Sequence, residues 1–193
     1  AEKNQLEAVK VNVIGSHNII RAALNANVPL TVGISTDKAC DPKNVYGYTK
    51  KLMEEMFMNA HTPINKFVCA RFANVAGSSG SVIPFWKSLI SDGKPIKLTH
   101  TGMNRLMFSK KESEKKKKKA IELTDTHISI PFVLSKKMKS INLHELAKFM
   151  SDKEIEIVGL RPGEKLNEKL ISAEEIPFTR VLNGYVLIMK EVQ

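Results

Sequence analysis

The sequence has little cysteine and no long apolar run, and both shortages narrow the class of protein. Its two cysteines, Cys40 and Cys69, lie in or beside apolar segments and lack the CxxC spacing of a metal or redox site. They predict buried thiols in a reducing compartment rather than a disulfide scaffold. No segment approaches the roughly 20 apolar residues that span a bilayer, and the first residues, AEKNQLEAVK, lack a signal-peptide pattern. We therefore expect a cytoplasmic globular protein that uses no metal and no membrane.

Arginine and aromatic residues are also scarce. The net charge is +10, but only five of the 30 basic residues are arginines, and aromatic residues make up 6% of the chain. Nucleic-acid recognition relies on arginine forks and stacked rings, so the composition argues against it. The lysine run at 115–119 is typical of a solvated face or loop. A lysine-driven polyanion binder stays as an alternative, and its affinity would fall steeply with salt.

Apolar periodicity predicts alternating helices and strands in the first 77 residues. Apolar side chains recur at three- and four-residue steps from Leu6 to Leu24, which predicts a helix with one buried face. The run VPLTVGIST predicts a strand, a second helix with Leu52 on its inner stripe begins at Asn44, and NKFVCARFANVAG predicts another strand. This alternation indicates an α/β fold with a doubly wound parallel sheet.

The pattern changes after Gly77. The segment PFWKSLISDGK predicts a helix, HISIPFVLS a strand, and SINLHELAKFMSD a helix whose N-cap we assign to Ser140. We therefore predict two regions, with 1–77 forming part of the doubly wound sheet and 78–193 forming a smaller mixed α/β region.

Tyr46 and Lys50 lie four residues apart on the second predicted helix, so their side chains share one face. An ammonium group that close would lower the pKa of the tyrosine below its usual value of about 10. Such a tyrosine could accept a proton from a hydroxyl while a nicotinamide accepts the hydride. The spacing alone is not specific, because a Tyr and a Lys four apart occur by chance in many helices.

Asp37 and Lys38 follow the first predicted strand and place an acid beside a base. Elimination next to a ketone needs both, one to remove the activated carbon-bound proton and one to protonate the leaving oxygen. The same pair could equally be an inert surface ion pair, which is the commoner case for adjacent opposite charges.

Five segments resemble one known family in order and spacing: NVIGSHNII, ISTDKACDPKNVYGYTKKLMEE, RFANVAGSSGSVIP, GMNRLMF and GLRPGEKLNEKLI. The family is the extended short-chain dehydrogenase/reductases, and the chain is most similar to their inverting UDP-N-acetylglucosamine 4,6-dehydratase/5-epimerases. The resemblance implies that 1–77 is the second half of a Rossmann-like dinucleotide-binding domain and that 78–193 is the nucleotide-sugar-binding region. It also implies dehydration of a UDP-N-acetylhexosamine to a 4-keto-6-deoxy sugar, with inversion at C5, for polysaccharide biosynthesis.

The resemblance assigns chemical roles to five residues. Tyr46 would take the proton from the C4 hydroxyl, and Lys50 would lower its pKa and hold the nicotinamide ribose. Asp37 would protonate the departing C6 hydroxyl, and Lys38 would remove the C5 proton. Thr36 would hydrogen-bond near the C4 hydroxyl.

By the same resemblance the cofactor is NADP or NAD. Tyr46, Lys50, Asn12 and Ser35 would lie against it. Asn12 would shape a proton path beneath the nicotinamide, or it would be a helix residue that satisfies a backbone carbonyl; the sequence favours neither.

The resemblance also assigns the UDP-sugar to the second region. Asn74 and Ser81 would hold the nucleotide-sugar, and Arg105, Arg161 and Glu164 would contact the uridine diphosphate. Arginine suits this role because its planar fork grips phosphate oxygens. The alternative for Arg161 is a turn residue that points its guanidinium into solvent.

The phosphate-binding GxxGxxG loop of the family is absent from the sequence. We therefore expect the N-terminal half of the cofactor site to lie outside this chain. The alternatives are another nucleotide-sugar epimerase or reductase of the superfamily, or a fragment that binds nucleotide-sugar without catalysis. The resemblance further implies a homo-oligomer, formed through the helix before Val28 and the helix that carries Tyr46.

Overall fold

The structure is a computed structural model, and it describes residues 4–78, 80–126 and 130–189, without the side chains of residues 125 and 126. The α-helices in the described residues are α1 (Gln5–Val9), α2 (Gly15–Asn25), α3 (Val45–Asn59), α4 (Val82–Ser91), α5 (Lys110–Thr126) and α6 (Leu143–Met150). The strands are β1 (Leu30–Thr36), β2 (Lys66–Phe72), β3 (Asn74–Val75), β4 (Ile96–Leu98), β5 (Asn104–Phe108), β6 (Phe132–Lys136), β7 (Lys139–Asn142), β8 (Ile155–Ile157), β9 (Thr179–Leu182) and β10 (Tyr185–Met189). A π-helical turn (Lys10–Ile14) joins α1 to α2, and 3₁₀ turns occupy Asp37–Ala39 and Ile176–Phe178.

The described residues form two compact units. The first comprises the chain up to Phe72, then residues 114–137, then the residues from Lys169 onward. The second comprises 73–113 and 138–168. The division predicted at residue 77 did not anticipate that the chain returns to the first unit twice, because local sequence patterns do not reveal which strands pair. As a division by function it stays a prediction.

The first unit is built on a five-stranded sheet in the order β1-β2-β6-β10-β9. The strands β1, β2 and β6 are parallel, as the alternating pattern predicted, and α3 makes the crossover from β1 to β2. The strands β10 and β9 run antiparallel at the far edge. In the register of the first pair, Ser35 lies opposite Arg71 and Thr36 opposite Phe72, so these residues mark the carboxyl ends of both strands.

Helices cover both faces of this sheet. On one face, Phe57 of α3 packs edge-on against Phe67 of β2, with ring centroids 5.8 Å apart. On the other face, Ala120 and Leu123 of α5 pack against Val68 of β2. Because successive side chains of a strand point to opposite faces, one strand serves both cores. The lysine run therefore lies in a helix and not in a loop. Lys115, Lys117 and Lys118 are exposed, as expected of a solvated face, whereas Lys116 is buried.

Two predicted core positions are exposed instead. Leu6 is 64% exposed and Leu52 is 47% exposed. The π-helical turn at Lys10–Ile14 explains the first error: its wider hydrogen-bond spacing shifts the helical phase, so Leu6 no longer lies in line with the buried Ile20.

The second unit contains two small sheets, β3-β5-β7 and β4-β8. Its core is formed around Trp86, which is fully buried and donates its indole N–H to the carbonyl of Lys97 at 2.9 Å. The N-cap assigned to Ser140 was wrong. Ser140 lies in β7, which pairs with β5, and Asn142 caps α6 by accepting from two backbone N–H groups. The pairing of β7 overrides the local capping preference of serine.

Within the described residues, none of the helices combines the length and apolarity that a membrane crossing requires.

Candidate active site

A polar cluster forms in the first unit, where β1 ends and the 3₁₀ turn Asp37–Ala39 begins. The Thr36 hydroxyl donates to Asp37 Oδ1 at 2.8 Å, and the Lys38 ammonium donates to the same oxygen at 3.2 Å. The Asp37 side chain is 1% exposed and that of Lys38 is 34% exposed. The predicted acid and base are therefore in direct contact, the carboxyl in the protein interior and the amine near its surface.

The first turn of α3 lies against this cluster because of two residues. Asn44 caps the helix by accepting from the backbone N–H of Gly47 at 2.9 Å. Gly47 itself permits the close approach: a Cβ there would overlap the carbonyl oxygen of Lys38 and lie 3.0 Å from Pro42 Cβ. The absence of a side chain at Gly47 thus allows Tyr46, its neighbour, to reach the end of β1.

Tyr46 lies beside the cluster, close enough for the Thr36 hydroxyl, the Lys38 ammonium and the Asp37 carboxyl to act on its phenol. Burial raises its pKa above the usual value, an effect that the Lys38 ammonium and the Thr36 hydroxyl oppose and the Asp37 carboxyl reinforces. The prediction that Lys50 lowers the pKa of this tyrosine is therefore wrong for the protein without ligands. The cation that acts on the phenol is Lys38.

Lys50 points to a different group. Its ammonium donates to the carbonyl of Ile34 at 3.0 Å and lies 3.8 Å from the sulfur of Met53. Burial lowers its pKa, against the opposing effects of Cys69 and Glu54. Spacing along a helix fixes the shared face of two side chains but not the direction of a flexible ammonium. Here the nearest strand carbonyl determines that direction.

The other two residues assigned to the cofactor lie nearby in the first unit. The Asn12 side chain, in the π-helical turn, donates to the Thr49 hydroxyl at 3.0 Å, and that hydroxyl donates to the Tyr46 carbonyl at 3.0 Å. Asn12 thus ties its helix to the helix of Tyr46. Ser35 is 3% exposed, and its hydroxyl oxygen has no hydrogen-bond partner within the described residues.

The second unit brings together three of the five residues assigned to the nucleotide-sugar. Arg105 is 9% exposed, donates to three backbone carbonyls, and pairs with Glu164 at 3.3 Å and with Glu168 at 3.7 Å. The Asn74 amide donates to Glu168 at 3.1 Å. Glu168 was missed by the sequence analysis, although it follows the RPGEKL motif closely.

Arg161 and Ser81 are placed differently. Arg161 is exposed, and its backbone N–H donates to the Glu164 carboxylate at 3.1 Å, so Glu164 bridges Arg161 and Arg105. Ser81 immediately precedes α4, and its buried hydroxyl oxygen has no partner among the described residues.

The first unit also contains a buried charge network that was not predicted from the sequence. The Arg71 guanidinium is fully buried and makes two bonds to Glu54, two to Glu175 and one to the Leu170 carbonyl. All five of its N–H donors are therefore satisfied. Lys51 approaches Glu175 at 3.2 Å, which balances the second carboxylate. An arginine inside the apolar strand KFVCARF was the available signal, because a buried guanidinium requires buried acids.

The fold and the two polar clusters are those of a Rossmann-type α/β protein with a helical Tyr-Lys pair beside a strand end. The chain belongs to the polysaccharide biosynthesis protein family, whose pattern it matches over residues 1–190. This agrees with the family resemblance seen in the sequence.

Three similar proteins illustrate the match. A Methanocaldococcus jannaschii protein named as an uncharacterized membrane protein is 41% identical over 187 residues, which are 91% of this chain and 56% of that protein. A Campylobacter jejuni UDP-N-acetylglucosamine 4,6-dehydratase (inverting) is 36% identical over 199 residues, 100% of this chain and 58% of that enzyme. The X-ray structure of Pen from Bacillus thuringiensis superposes with a TM-score of 0.91 at 30% identity, covering 100% of this chain and 61% of that one. The chain thus spans little more than half the length of these relatives.

Proposed function

We propose that the protein containing this chain removes water from a UDP-N-acetylhexosamine, with UDP-N-acetylglucosamine as the substrate and a 4-keto-6-deoxy sugar, inverted at C5, as the product. The observation that carries the proposal is the contact of Asp37 and Lys38, an acid and a base on one strand end beside Tyr46. The similarity to an inverting dehydratase supports the same reaction class.

The ion pair becomes a catalytic pair by a single proton transfer. If Lys38 gives a proton to Asp37 Oδ1 across their 3.2 Å contact, the products are a neutral amine and a carboxylic acid. The amine can then remove the C5 proton, and the acid can protonate the C6 hydroxyl as it leaves. A substrate that covers Lys38 and displaces water favours this neutral form, because desolvation penalises two charges more than none.

Tyr46 supplies the first proton acceptor. Its phenol lies beside Thr36 and near Lys38, so a C4 hydroxyl bound at this position can transfer a proton to the phenolate. Because burial raises the pKa of Tyr46, the phenolate requires an additional positive charge nearby. The Lys38 ammonium supplies part of it during oxidation at C4, and its proton transfer to Asp37 follows that step.

The residues fit a nicotinamide cofactor. The Lys50 ammonium has three N–H donors, and within the described residues it contacts only the Ile34 carbonyl and, weakly, the sulfur of Met53, which leaves a donor for a ribose hydroxyl. The buried Ser35 hydroxyl, which has no hydrogen-bond partner in the part of the chain that the structure describes, is a second group able to bond a ligand at this strand end. NAD or NADP bound here would accept the hydride from C4 and return it to C6, and C5 would then take a solvent-derived proton on the face opposite Lys38, as inversion requires.

In the second unit, Arg105 and Arg161 would bind the diphosphate, with Asn74 and Ser81 on the nucleotide-sugar. Glu164 accepts from both the Arg105 side chain and the Arg161 backbone, so its two oxygens are engaged. Binding of a ribose hydroxyl to Glu164 would therefore replace one of these bonds.

Incubation of the intact protein with UDP-N-acetylglucosamine and NADP or NAD in D₂O tests the proposal. We expect a 4-keto-6-deoxy product with deuterium at C5, detected by NMR. Lys38→Met should abolish it, because no base remains for the C5 proton. Lys43→Met is the matched control, since Lys43 is an exposed lysine five residues along, and it should keep wild-type turnover.

The Asp37–Lys38 ion pair also supports an alternative function, an enzyme that acts at C4 of the sugar without dehydration. If Asp37 and Lys38 stay charged and inert, only the Tyr46 chemistry at C4 operates, and the enzyme is a nucleotide-sugar 4-epimerase or reductase. A product altered at C4 with its C6 hydroxyl intact would establish that alternative and overturn the dehydratase.

We also propose a homo-oligomer formed through the helix before Val28 and the helix α3 that carries Tyr46. Several apolar side chains there are exposed: Leu6, Val11, Ile14 and Ile19 are each at least 52% exposed, and Tyr48 of α3 is 58% exposed. Exposed apolar side chains in such numbers are typical of interaction surfaces. Light scattering on the intact protein measures the mass, and a monomer would overturn this part.

A further inference from the structure

We propose that Lys116 is a positioning residue that controls, through its own charge, whether Asp37 can accept the proton of Lys38. The inference deepens the proposed dehydration and rests on it. Lys116 belongs to the lysine run of α5, to which the sequence analysis gave no role.

Lys116 differs from its neighbours in the run by being inside the protein. Its side chain is 1% exposed, whereas Lys115, Lys117 and Lys118 are exposed. The Lys116 ammonium donates to the backbone carbonyl of Arg71. It also lies 4.8 Å from the centroid of the Phe72 ring. A buried lysine is rare without a carboxylate in contact, so its position requires an explanation.

The position is the carboxyl end of the sheet. Arg71 and Phe72 end β2, and Phe72 pairs with Thr36, the residue before Asp37. Because strands β1 and β2 are parallel, the ammonium that binds the end of β2 also lies near the end of β1. Asp37 is accordingly close enough to act electrostatically on Lys116, and its carboxyl raises the pKa of that lysine.

The charged groups that face Lys116 come from three elements. Burial lowers the pKa of Lys116 most, the Arg71 guanidinium of β2 and the Lys136 ammonium of β6 lower it further, and the Asp37 carboxyl raises it. The resulting pKa is about 7. The side chain therefore changes charge near neutral pH. Both its ammonium and its neutral amine can donate to the Arg71 carbonyl, so it can stay in place as the charge changes.

The charge of Lys116 determines how readily Asp37 accepts a proton. Below about pH 7, the charged Lys116 stabilises the Asp37 carboxylate and opposes its protonation by Lys38. Above that pH, Lys116 is neutral and the opposition disappears. The fraction of the Asp37–Lys38 pair in its neutral, reactive form should thus increase as pH rises through the pKa of Lys116.

Two measurements on the intact protein test this, and the first needs no turnover. With ¹³C-labelled aspartate, assigned by comparison with Asp37→Asn, Lys116→Met should move the titration midpoint of the Asp37 carboxyl upward by about one pH unit, because a nearby cation is removed. Lys117→Met, an exposed lysine one residue along, should leave that midpoint unchanged. An unchanged midpoint in Lys116→Met overturns the proposal whether or not the protein is a dehydratase.

The second measurement is the pH profile of dehydration. Wild-type kcat should rise about fivefold from pH 6 to pH 8. A one-unit change in a pKa is a tenfold change in an equilibrium, and a lysine with a pKa of about 7 completes only part of its charge change between these two pH values. Lys116→Met should lose this rise and keep the higher rate at pH 6, and Lys116→Arg, a permanent cation, should stay low throughout. A merely structural lysine would instead give Lys116→Met a uniform loss at every pH. Absence of dehydration in every variant, with the carboxyl midpoint still moved, would reject the dehydratase and keep the electrostatic coupling.

Discussion

Replacement of Arg71 by methionine should destabilise the protein more than any surface change near the site. The substitution keeps an unbranched apolar chain of similar length but removes the guanidinium that binds Glu54 and Glu175. Glu54 is fully buried and the Glu175 side chain is 12% exposed, so both carboxylates would remain in the interior without that partner. Breaking a buried ion pair in this way costs about 3–5 kcal/mol.

Lys51→Met provides the matched control. Lys51 contacts the same Glu175 carboxylate at 3.2 Å, but its side chain is 36% exposed. An ion pair accessible to water contributes about 0–1 kcal/mol. Urea unfolding of the intact protein at pH 7 measures both free energies. Equal losses in the two variants, or a loss below about 1 kcal/mol in Arg71→Met, would refute the argument from burial.

The dependence of the free energy of unfolding on pH in acid gives a second test of the ion pairs that Arg71 makes. Burial alone would raise the pKa of Glu175, but the Arg71 hydrogen bonds and charge outweigh it and lower the pKa from 4.5 to about 2. A carboxyl with a lowered pKa stabilises the fold above pH 4.5, and that contribution is lost as pH falls toward 2. The shift corresponds to about 3 kcal/mol at roughly 1.4 kcal/mol per unit. Arg71→Met should lack most of this decline, so its stability should depend on pH in this window less than that of the wild type.

Substitutions of Lys116 and Gly47 test two further features of the site. Lys116→Met should raise the free energy of unfolding by a few kcal/mol at pH 6 and by much less at pH 10. The reason is that the wild-type lysine has a pKa of about 7 in the folded protein and 10.5 when unfolded, so between these values folding removes its proton and the buried charge is lost. Urea unfolding measures both free energies, and an equal gain at the two pH values would contradict the burial of a charged lysine. Gly47→Ala should displace the 3₁₀ turn that carries Lys38 and reduce turnover at least tenfold, since the new Cβ overlaps the Lys38 carbonyl. Gly15→Ala is its control, because a Cβ at Gly15 meets its nearest atom at 3.5 Å and alanine favours the helix by about 1 kcal/mol, so kcat should be unchanged.

The parallel strands and the catalytic turn could be predicted from the sequence because local chemistry specifies them. An apolar β-branched run followed by polar residues ends a buried strand, and the sequence placed Thr36, Asp37 and Lys38 at such an end, where the structure has them. The antiparallel pair β9 and β10 was not predicted in its place in the sheet. β6, the strand that pairs with β10, lies some 50 residues earlier in the chain, and a local sequence pattern carries no information on that pairing.

Directions of long charged side chains were beyond prediction for a different reason. Lys50 and Lys116 each reach a strand carbonyl, of Ile34 and of Arg71, and neither contact leaves a trace in residue spacing. Lysine has several rotatable bonds, so backbone position constrains the ammonium weakly. Which acceptor it finds depends on the packing around it. That is why the sequence assigned Lys50 as the cation acting on Tyr46, whereas the folded chain gives that role to Lys38.

Arg71 is held from both faces of the sheet, and the two attachments have separable effects. Its guanidinium lies on the α3 face, bound by Glu54 and Glu175, and its backbone carbonyl accepts from Lys116 of α5, which packs on the other face. The ion pairs of Arg71 with the two glutamates stay charged at every pH above the pKa of Glu175, whereas the Lys116 ammonium that binds the Arg71 carbonyl loses its charge near pH 7. Stability in acid should therefore follow the glutamate network, and the proton exchange of Asp37 should follow the lysine. Since one strand residue links both, Arg71→Met should weaken the fold and move the neutral-pH step in the carboxyl titration of Asp37 to higher pH, because the guanidinium that lowers the pKa of Lys116 is lost. Lys116→Met should instead remove that step and strengthen the fold.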